Sequence, residues 1–260
     1  MSKLRMGRVF AGDGRTVILA LDHAGFMGPM AGLEDPGAVL QAASGTGIDA
    51  VLTTFGIAKT FAGSLGRMGL ILRMDGGATS RSANPGHLRR LFSVADALRL
   101  GADAVACMGM IGYEEEAASL QVLSELTTQS AEWNMPVMAE MLVKSQGGGD
   151  LTVEEVGFAM RIGAELGADF IKTHYASPIE RFRSAIQSCY CPVVILGGSK
   201  TEDETDLLEP VAESLDAGAR GVAIGRNVWQ HRDPQAMCRA LVSLVHGGAT
   251  VTRALKEIRG

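Results

Sequence analysis

The segment GADFIKTHY, residues 167–175, is a short apolar stretch that ends close to a lysine, Lys172. Burying an ammonium group costs free energy, so a lysine in an apolar strand needs either a partner or a function. Apolar surroundings disfavour the charged amine and lower its pKa. A neutral amine can attack a carbonyl carbon and form a Schiff base. Lys172 is therefore either a catalytic amine or one half of a structural ion pair, and the segment by itself leaves both open.

Side chains that can transfer protons occur at similar places in the chain. Asp22 follows the first apolar stretch, and Glu140 lies late in the fifth. His174 is two residues beyond Lys172, which puts both on one face of an extended strand. Carboxylates and histidines are common general acids and bases. We expect Asp22 to be the first candidate for this role, Glu140 the second and His174 the third. The alternatives are a helix N-cap for Asp22 and an ion pair with a lysine for Glu140.

Two glycine-containing turns later in the chain are suited to binding a phosphate. Gly197, Gly198 and Ser199 follow the apolar stretch PVVIL, and Gly225 and Arg226 follow GVAI. Glycine lets the backbone approach an anion closely, and free backbone amides can then donate to it. The guanidinium of Arg226 would add positive charge. The two turns together predict a phosphate site.

A recurring four-residue phrase shows which elements carry these residues. It reads GIDA at 47–50, GADA at 101–104 and GADF at 167–170, with a degenerate copy, GARG, at 218–221. Each copy follows a helical pattern and opens a short apolar run. Glycine there is typical of a helix C-terminus, and the apolar run is typical of a parallel strand that is buried on both faces.

Eight such strands alternate with helical segments. They are predicted at 16–22, 49–54, 69–75, 103–108, 136–141, 169–174, 192–198 and 221–226. This pattern predicts an α/β protein with a single (β/α)8 TIM barrel domain over residues 1–260. An open, doubly wound sheet is the alternative, but no G-x-G-x-x-G phrase follows the first strand. In a barrel the carboxyl ends of all the strands meet at one mouth, where the candidate residues would converge.

Composition and charge exclude several classes of function. The net charge is −5, which argues against nucleic acid or an anionic membrane as a partner. No apolar run approaches the ~20 residues of a membrane span, and the N-terminal segment lacks the apolar core of a secretory signal. The chain has four cysteines, and Cys189 and Cys191 form a C-x-C pair. No second pair with the spacing of metal ligands accompanies them, so reduced thiols in a cytoplasmic protein are the better interpretation. We expect no metal and no cofactor.

Four segments together resemble a known family, the DhnA/DeoC-type class I aldolases. The family includes archaeal-type fructose-bisphosphate aldolases, 2-amino-3,7-dideoxy-D-threo-hept-6-ulosonate synthases and autoinducer-2 thiolases of the LsrF type. The resemblance extends from Asp22 to the end of the chain. The segments are LDHAGFMGP at 21–29, GADFIKTHY at 167–175, PVVILGGSKT at 192–201 and GVAIGRNVWQ at 221–230.

The resemblance implies roles for individual residues. Lys172 would form the Schiff base, and Asp22 would be a catalytic acid or base. The two glycine turns would bind the phosphate of a sugar or ketone substrate. His23, from the same motif as Asp22, and Lys144 would contact the substrate. The resemblance also implies a homo-oligomer, since members of the family often form large rings. The helical segment 153–167 agrees with this expectation, because it has apolar residues on more than one face.

One position departs from the family pattern. Aldolases of this type carry a tyrosine after the fifth strand, in a Tyr-Pro-Arg-Gly phrase, and Leu142 holds its place here. Leucine cannot transfer a proton, and the thiolase branch also lacks the tyrosine. Three hypotheses stay open: an aldolase acting on a phosphorylated ketose, a thiolase transferring an acyl group from a phosphorylated diketone to coenzyme A, and a phosphate-binding barrel without covalent catalysis.

Overall fold

The structure, a computed structural model, describes residues 3–84 and 87–260. Eight parallel strands close into one barrel in the order β1-β8-β7-β6-β5-β4-β3-β2. The prediction of a TIM barrel is confirmed. The predicted domain also spans residues 1, 2, 85 and 86, which lie outside the described residues. The strands are β1 (Thr16–Ala20), β2 (Ala50–Thr53), β3 (Gly69–Arg73), β4 (Ala104–Ile111), β5 (Val137–Val143), β6 (Phe170–Thr173), β7 (Val193–Leu196) and β8 (Gly221–Ile224).

Helices surround the barrel and also close parts of its two ends. They are α1 (Ala24–Met27), α2 (Pro36–Ala43), α3 (Phe55–Phe61), α4 (Val94–Arg99), α5 (Glu116–Glu132), α6 (Val153–Glu165), α7 (Ile179–Ser188), α8 (Thr205–Ala217), α9 (Arg226–Trp229), α10 (Pro234–Val245) and α11 (Val251–Arg259). Short 3-10 helices cover Leu4–Arg8 and Ala62–Ser64, and a two-residue antiparallel ribbon pairs Asp75–Gly76 with Arg89–Arg90. None of the helices in the described ranges has both the length and the apolar character to cross a membrane.

The recurring glycine-x-aspartate phrase has a structural role at the amino end of the barrel. Gly47, Gly101 and Gly167 have φ angles of 97°, 76° and 88°. Gly101 and Gly167 directly follow the C-caps of α4 and α6, as expected at a helix C-terminus, whereas Gly47 lies in the turn after α2. The aspartate two positions later accepts a hydrogen bond from a backbone N–H of the preceding strand. The bonds run from Val17, Leu70 and Val137 to Asp49, Asp103 and Asp169 over 2.7, 2.9 and 2.7 Å. The phrase therefore ties neighbouring strands together on the face opposite the mouth.

Side chains that point into the barrel form layers, because alternate residues of a strand face the same side. Small and branched residues fill the lower layers, and Phe170 of β6 packs edge-on against Phe10 with ring centroids 5.3 Å apart. The next inward position on three strands is charged. These residues are Arg73 on β3, Glu140 on β5 and Lys172 on β6, and all three are buried. Charge is thus concentrated at the carboxyl end of the barrel.

Some predicted strands extend beyond the observed strands, and others stop short of the observed strand ends. Asp22, His174 and Gly197 lie in loops beyond β1, β6 and β7, since those strands end at Ala20, Thr173 and Leu196. By contrast, β4 continues to Ile111, three residues beyond its predicted end, because it pairs with β5 over seven consecutive positions. This longer pairing adds one inward-facing residue, Met110, to the barrel mouth beside Met108.

Candidate active site

A cavity of about 440 Å³ opens at the carboxyl ends of the strands. Its lining residues come from the strands, the loops and α1. Six are charged or titratable side chains, namely His23, Tyr113, Glu140, Lys172, His174 and Arg226. The backbone of both predicted glycine turns also lines it. The structure therefore brings together, around one space, residues that are up to 203 positions apart in the chain.

Lys172 and Glu140 form the centre of this site. They are directly opposite one another on the adjacent strands β6 and β5, and the Lys172 Nζ atom lies 2.6 Å from Glu140 Oε1. Only 4% of the Lys172 side chain and 8% of the Glu140 side chain are exposed. The ion pair that the sequence offered as an alternative to catalysis is present, and it lies in the wall of the cavity.

Arg73 links this pair to two further carboxylates. Its Nε and Nη2 atoms donate to Asp22 Oδ2 over 2.9 and 2.7 Å, and Nη1 donates to Asp75 Oδ1 over 3.3 Å. Nη2 also donates to Glu140 Oε2. The sequence analysis gave Arg73 no role. Its position, two residues after the inward-facing Ile71, was the signal that could have identified it.

The network holds its members in defined charge states. Burial by itself would raise the pKa of Glu140, but the positive charges of Lys172 and Arg73 outweigh that effect and hold the pKa below its ordinary value. Burial would likewise lower the pKa of Arg73, yet the three surrounding carboxylates raise it. Burial raises the pKa of Asp75 despite the neighbouring guanidinium. Glu140 is therefore ionised at neutral pH and pairs with both cations.

Two histidines face the cavity, and the Nδ1 atom of His23 lies 3.7 Å from Asp22 Oδ1. Burial lowers the pKa of His174 and also that of His23, although the charge of Asp22 acts in the opposite direction on His23. The Nδ1 atom of each ring is buried and has no hydrogen-bond partner among the described residues. Since both rings are neutral at physiological pH, they can donate to or accept from a bound molecule.

The glycine turns after β7 and β8 lie at one side of the cavity, and glycine is sterically required at two positions. A Cβ atom at Gly225 would lie 2.5 Å from the carbonyl oxygen of Ala20, and one at Gly197 would lie 2.9 Å from Ile224. Arg226 begins α9, and its Nε atom is buried and has no partner in residues 3–84 or 87–260. Backbone and guanidinium thus face the same space, as the sequence predicted.

Asn227 fixes the shape of these turns and was missed by the sequence analysis. Its side-chain amide donates to the carbonyl oxygens of Gly197 and Ser199 over 3.0 and 2.8 Å. Its Oδ1 atom accepts from the backbone N–H of Thr201 over 2.9 Å. The loop after β7 is therefore held by a side chain from the first turn of α9, which follows β8. The residues Gly-Arg-Asn at 225–227 do not by themselves predict this contact.

Some of the predicted residues lie elsewhere. Lys144 is exposed and is not among the cavity-lining residues. Asp22 is buried against Arg73 rather than in the cavity wall, although its neighbour His23 lines the cavity. Leu142, which holds the place of the family tyrosine, is in the wall. No group of three or more His, Cys, Asp or Glu side chains within the described residues is arranged to hold a metal ion.

Comparison with known proteins identifies the family. The family model of the DeoC/LacD family aldolases matches residues 16–231. The chain is 33% identical to the 2-amino-3,7-dideoxy-D-threo-hept-6-ulosonate synthase of Halobacterium salinarum, over 96% of this chain and 94% of the relative. It is 34% identical to the 3-hydroxy-5-phosphonooxypentane-2,4-dione thiolase of Yersinia enterocolitica, over 97% of this chain and 84% of the relative.

A solved structure is similar over nearly the same length. It is an archaeal fructose-1,6-bisphosphate aldolase with its catalytic lysine covalently bound to the carbinolamine intermediate. The TM-score is 0.83 at 34% identity, over 93% of this chain and 98% of that one. The predicted resemblance and the prediction of a class I aldolase are confirmed. The chain belongs to the DeoC/LacD aldolase family.

Proposed function

We propose that Lys172 is the amine that forms the Schiff base, and that the substrate is a phosphorylated ketose or ketone. The observation that supports this most directly is the position of the Lys172 amine in the cavity wall, paired with Glu140 and facing the same space as the glycine turns. A substrate whose phosphate binds at those turns would place its carbonyl group inside the cavity, toward the lysine.

The chemistry follows from this arrangement. Lys172 gives a proton to Glu140, and the neutral amine attacks the ketone carbon, whose π electrons pass to oxygen. Protonation and loss of that oxygen as water leave an iminium ion. A base takes the proton of the hydroxyl group on the β carbon, and the bond between the α and β carbons breaks. The electrons of that bond flow into the iminium to give an enamine, and the β carbon leaves as an aldehyde. Protonation of the enamine and hydrolysis release the second product and restore the amine.

We propose Glu140 as the main group that moves protons at the Lys172 nitrogen, since the two are in contact. This places Glu140 ahead of Asp22, because Asp22 is held by Arg73 and lies outside the cavity wall. Asp22 keeps a second role in the proposal: it supports the guanidinium that orients Glu140. His174, two positions from Lys172 and with an unpartnered Nδ1 within the described chain, is the candidate to transfer protons at the substrate oxygens in place of the family tyrosine.

For the phosphate we propose the backbone amides of Gly197, Gly198, Ser199 and Gly225 together with the guanidinium of Arg226. The buried and unpartnered Nε of Arg226 supports this within the described residues, because a buried donor without an acceptor is costly and a phosphate oxygen would satisfy it. His23 lines the same cavity and is proposed to contact the substrate.

A thiolase reaction is the second candidate, and one observation favours it. Leu142 lies in the cavity wall where the aldolase pattern has a tyrosine. The two reactions differ in whether coenzyme A is consumed, which a direct assay can measure.

The assay is a panel of phosphorylated ketoses and diketones, each incubated with and without coenzyme A. We expect aldehyde release from a phosphorylated ketose without coenzyme A, and its complete loss in Lys172→Met, since methionine fills similar space without an amine. Circular dichroism of the variant confirms that the fold is kept. Turnover that occurs only with coenzyme A and yields an acyl thioester would instead assign the thiolase reaction, and undiminished turnover in Lys172→Met would exclude Lys172 as the nucleophile.

Assembly and location complete the proposal. We propose a homo-oligomer in which the outer face of α6 takes part, supported by Phe158 and the nearby Tyr190, whose exposures are 58% and 62%. Sedimentation showing only a monomer at micromolar concentration would contradict this.

We also propose a cytoplasmic location, supported by the four free cysteines; a disulfide found in the native protein would count against it.

A further inference from the structure

The wall of the cavity away from the glycine turns is apolar. Met108 and Met110 of β4 face the cavity, and Met110 does so because that strand continues beyond its predicted end. Residues of α1, of β5 and of the loop after β3 complete this surface. The apolar wall consists of the side chains of Phe26, Met27, Leu88, Met108, Met110 and Leu142. Tyr113, which follows β4, also lines the cavity and contributes a phenol group.

A substrate with a phosphate at each end would need two anion sites in this cavity. Within the part of the chain that the structure describes, the charged cations of the wall are Lys172 and Arg226. Lys172 is paired with Glu140 and then bonds to the carbonyl carbon of the substrate. Arg226 lies at the glycine turns, where the first phosphate is proposed to bind, so neither cation is free for a second phosphate. The wall histidines do not replace them, because burial lowers the pKa of both His23 and His174. A second phosphate against methionine and leucine side chains would lose its hydration without compensation.

We infer that the aldehyde partner of this enzyme is unphosphorylated and carries an apolar aliphatic or aromatic substituent, which packs against the apolar wall. This inference rests on the proposed function, in which Lys172 forms an enamine with a phosphorylated ketone held at the glycine turns. Methionine is suited to such a surface because its flexible thioether adapts to substituents of different shape.

The step in the synthetic direction balances as follows. The enamine carbon attacks the aldehyde carbon and forms a carbon–carbon bond, and the carbonyl π electrons of the aldehyde pass to its oxygen. That oxygen takes up one proton, equal to the one released when the enamine formed. Water then adds to the iminium carbon, the Lys172 amine leaves, and the product is a β-hydroxyketone with a phosphate at one end and the apolar group at the other.

The test is a series of acceptors with dihydroxyacetone phosphate as the donor. Linear aldehydes from acetaldehyde to pentanal are compared with benzaldehyde and with glyceraldehyde 3-phosphate. Each additional buried methylene is expected to raise kcat/KM about fourfold, and pentanal is expected to be used better than glyceraldehyde 3-phosphate. A preference for glyceraldehyde 3-phosphate over all the apolar aldehydes, or a rate independent of chain length, would overturn the inference.

Two variants sharpen the series by changing the charge of the apolar wall. Met110→Lys is expected to raise kcat/KM for glyceraldehyde 3-phosphate by about tenfold or more, the effect of a hydrogen bond to a charged group, and to lower that for pentanal. Met110→Gln, of similar length but neutral, is the matched control and should lower only the pentanal rate. If use of glyceraldehyde 3-phosphate in the wild type exceeds that of pentanal and is lost in Lys144→Met, the second phosphate binds at Lys144 and the inference is wrong.

Borohydride reduction with dihydroxyacetone phosphate alone separates this inference from the proposed function. An adduct on Lys172 with no preference for apolar acceptors would overturn the acceptor class and leave the Schiff base standing. Absence of any adduct would overturn both.

Discussion

The two sides of the cavity are built in different ways. On the side of β1, β3, β5 and β6, buried charged side chains contact one another, with Arg73 bonded to Asp22, Asp75 and Glu140. On the side of β7 and β8, backbone amides and glycines form the surface, and Asn227 holds the two turns together. The first side concentrates side-chain charge, and the second presents a neutral backbone surface with one guanidinium.

This difference separates chemistry from binding. Buried charges cost desolvation free energy and are stable only while every partner is present, so they can set the protonation state of a reacting group. Backbone amides stay donors at any physiological pH and can hold a phosphate throughout the reaction. Changes on the charged side should therefore lower kcat, and changes on the glycine side should raise KM.

After the complete loss expected for Lys172→Met, the largest effect is expected on the charged side, at Glu140. Glu140→Gln removes the group that accepts the Lys172 proton, and kcat should fall by at least ~100-fold, the lower end of what a positioned acid or base contributes. Asp22→Asn should cost less, because Asp22 acts through Arg73. Steady-state kinetics of both variants measure this order. A nearly wild-type Glu140→Gln with an inactive Asp22→Asn would return the acid or base role to Asp22, as the sequence alone suggests.

A smaller effect, and on KM rather than kcat, is expected at Arg226. Arg226→Ala removes a charged donor to the phosphate, so KM for a phosphorylated substrate should rise about tenfold. The unphosphorylated analogue of the same substrate provides the control, and its KM should change little. An equal change for both compounds would mean that the phosphate does not bind at Arg226.

The smallest effect is expected at Asn227, which shapes the phosphate turns without contacting the cavity. Asn227→Ala removes the bonds to Gly197 and Ser199, each worth about 1 kcal/mol, and should raise KM a few-fold and lower the melting temperature. Asn227→Asp is the informative comparison, because its carboxylate can accept from Thr201 but cannot donate to the two carbonyls. If either variant changed kcat more than KM, the assignment of binding alone to the glycine side would be wrong.

The same division explains how much could be predicted from the sequence. The glycine turns are local: each follows its strand directly, and glycine, serine and arginine at 197–199 and 225–226 were enough to predict a phosphate site. The charged side depends on residues that are far apart, with Arg73 lying 51 positions from Asp22 and 67 from Glu140. The positions of Lys172 and Glu140 late in their strands place both near the barrel mouth. Which side chains each of them contacts across the barrel depends on the strand register and on the closure of the sheet.

The apolar wall shows the same limit. Met110 lies outside the predicted fourth strand, because nothing in that segment indicates that β4 would continue three residues further. The extension results from pairing with β5, which is a tertiary interaction. The fold class and the position of Lys172 near the barrel mouth could thus be predicted, whereas the surface that would select the second substrate could not.

The most direct test of this account is to locate the Schiff base. The wild-type protein is incubated with dihydroxyacetone phosphate and reduced with sodium borohydride, and the digested peptides are examined by mass spectrometry. The account predicts one permanent adduct, on the peptide that contains Lys172, and none in Lys172→Met. An adduct on Lys59, Lys144 or Lys200, or full activity with no adduct at all, would contradict it.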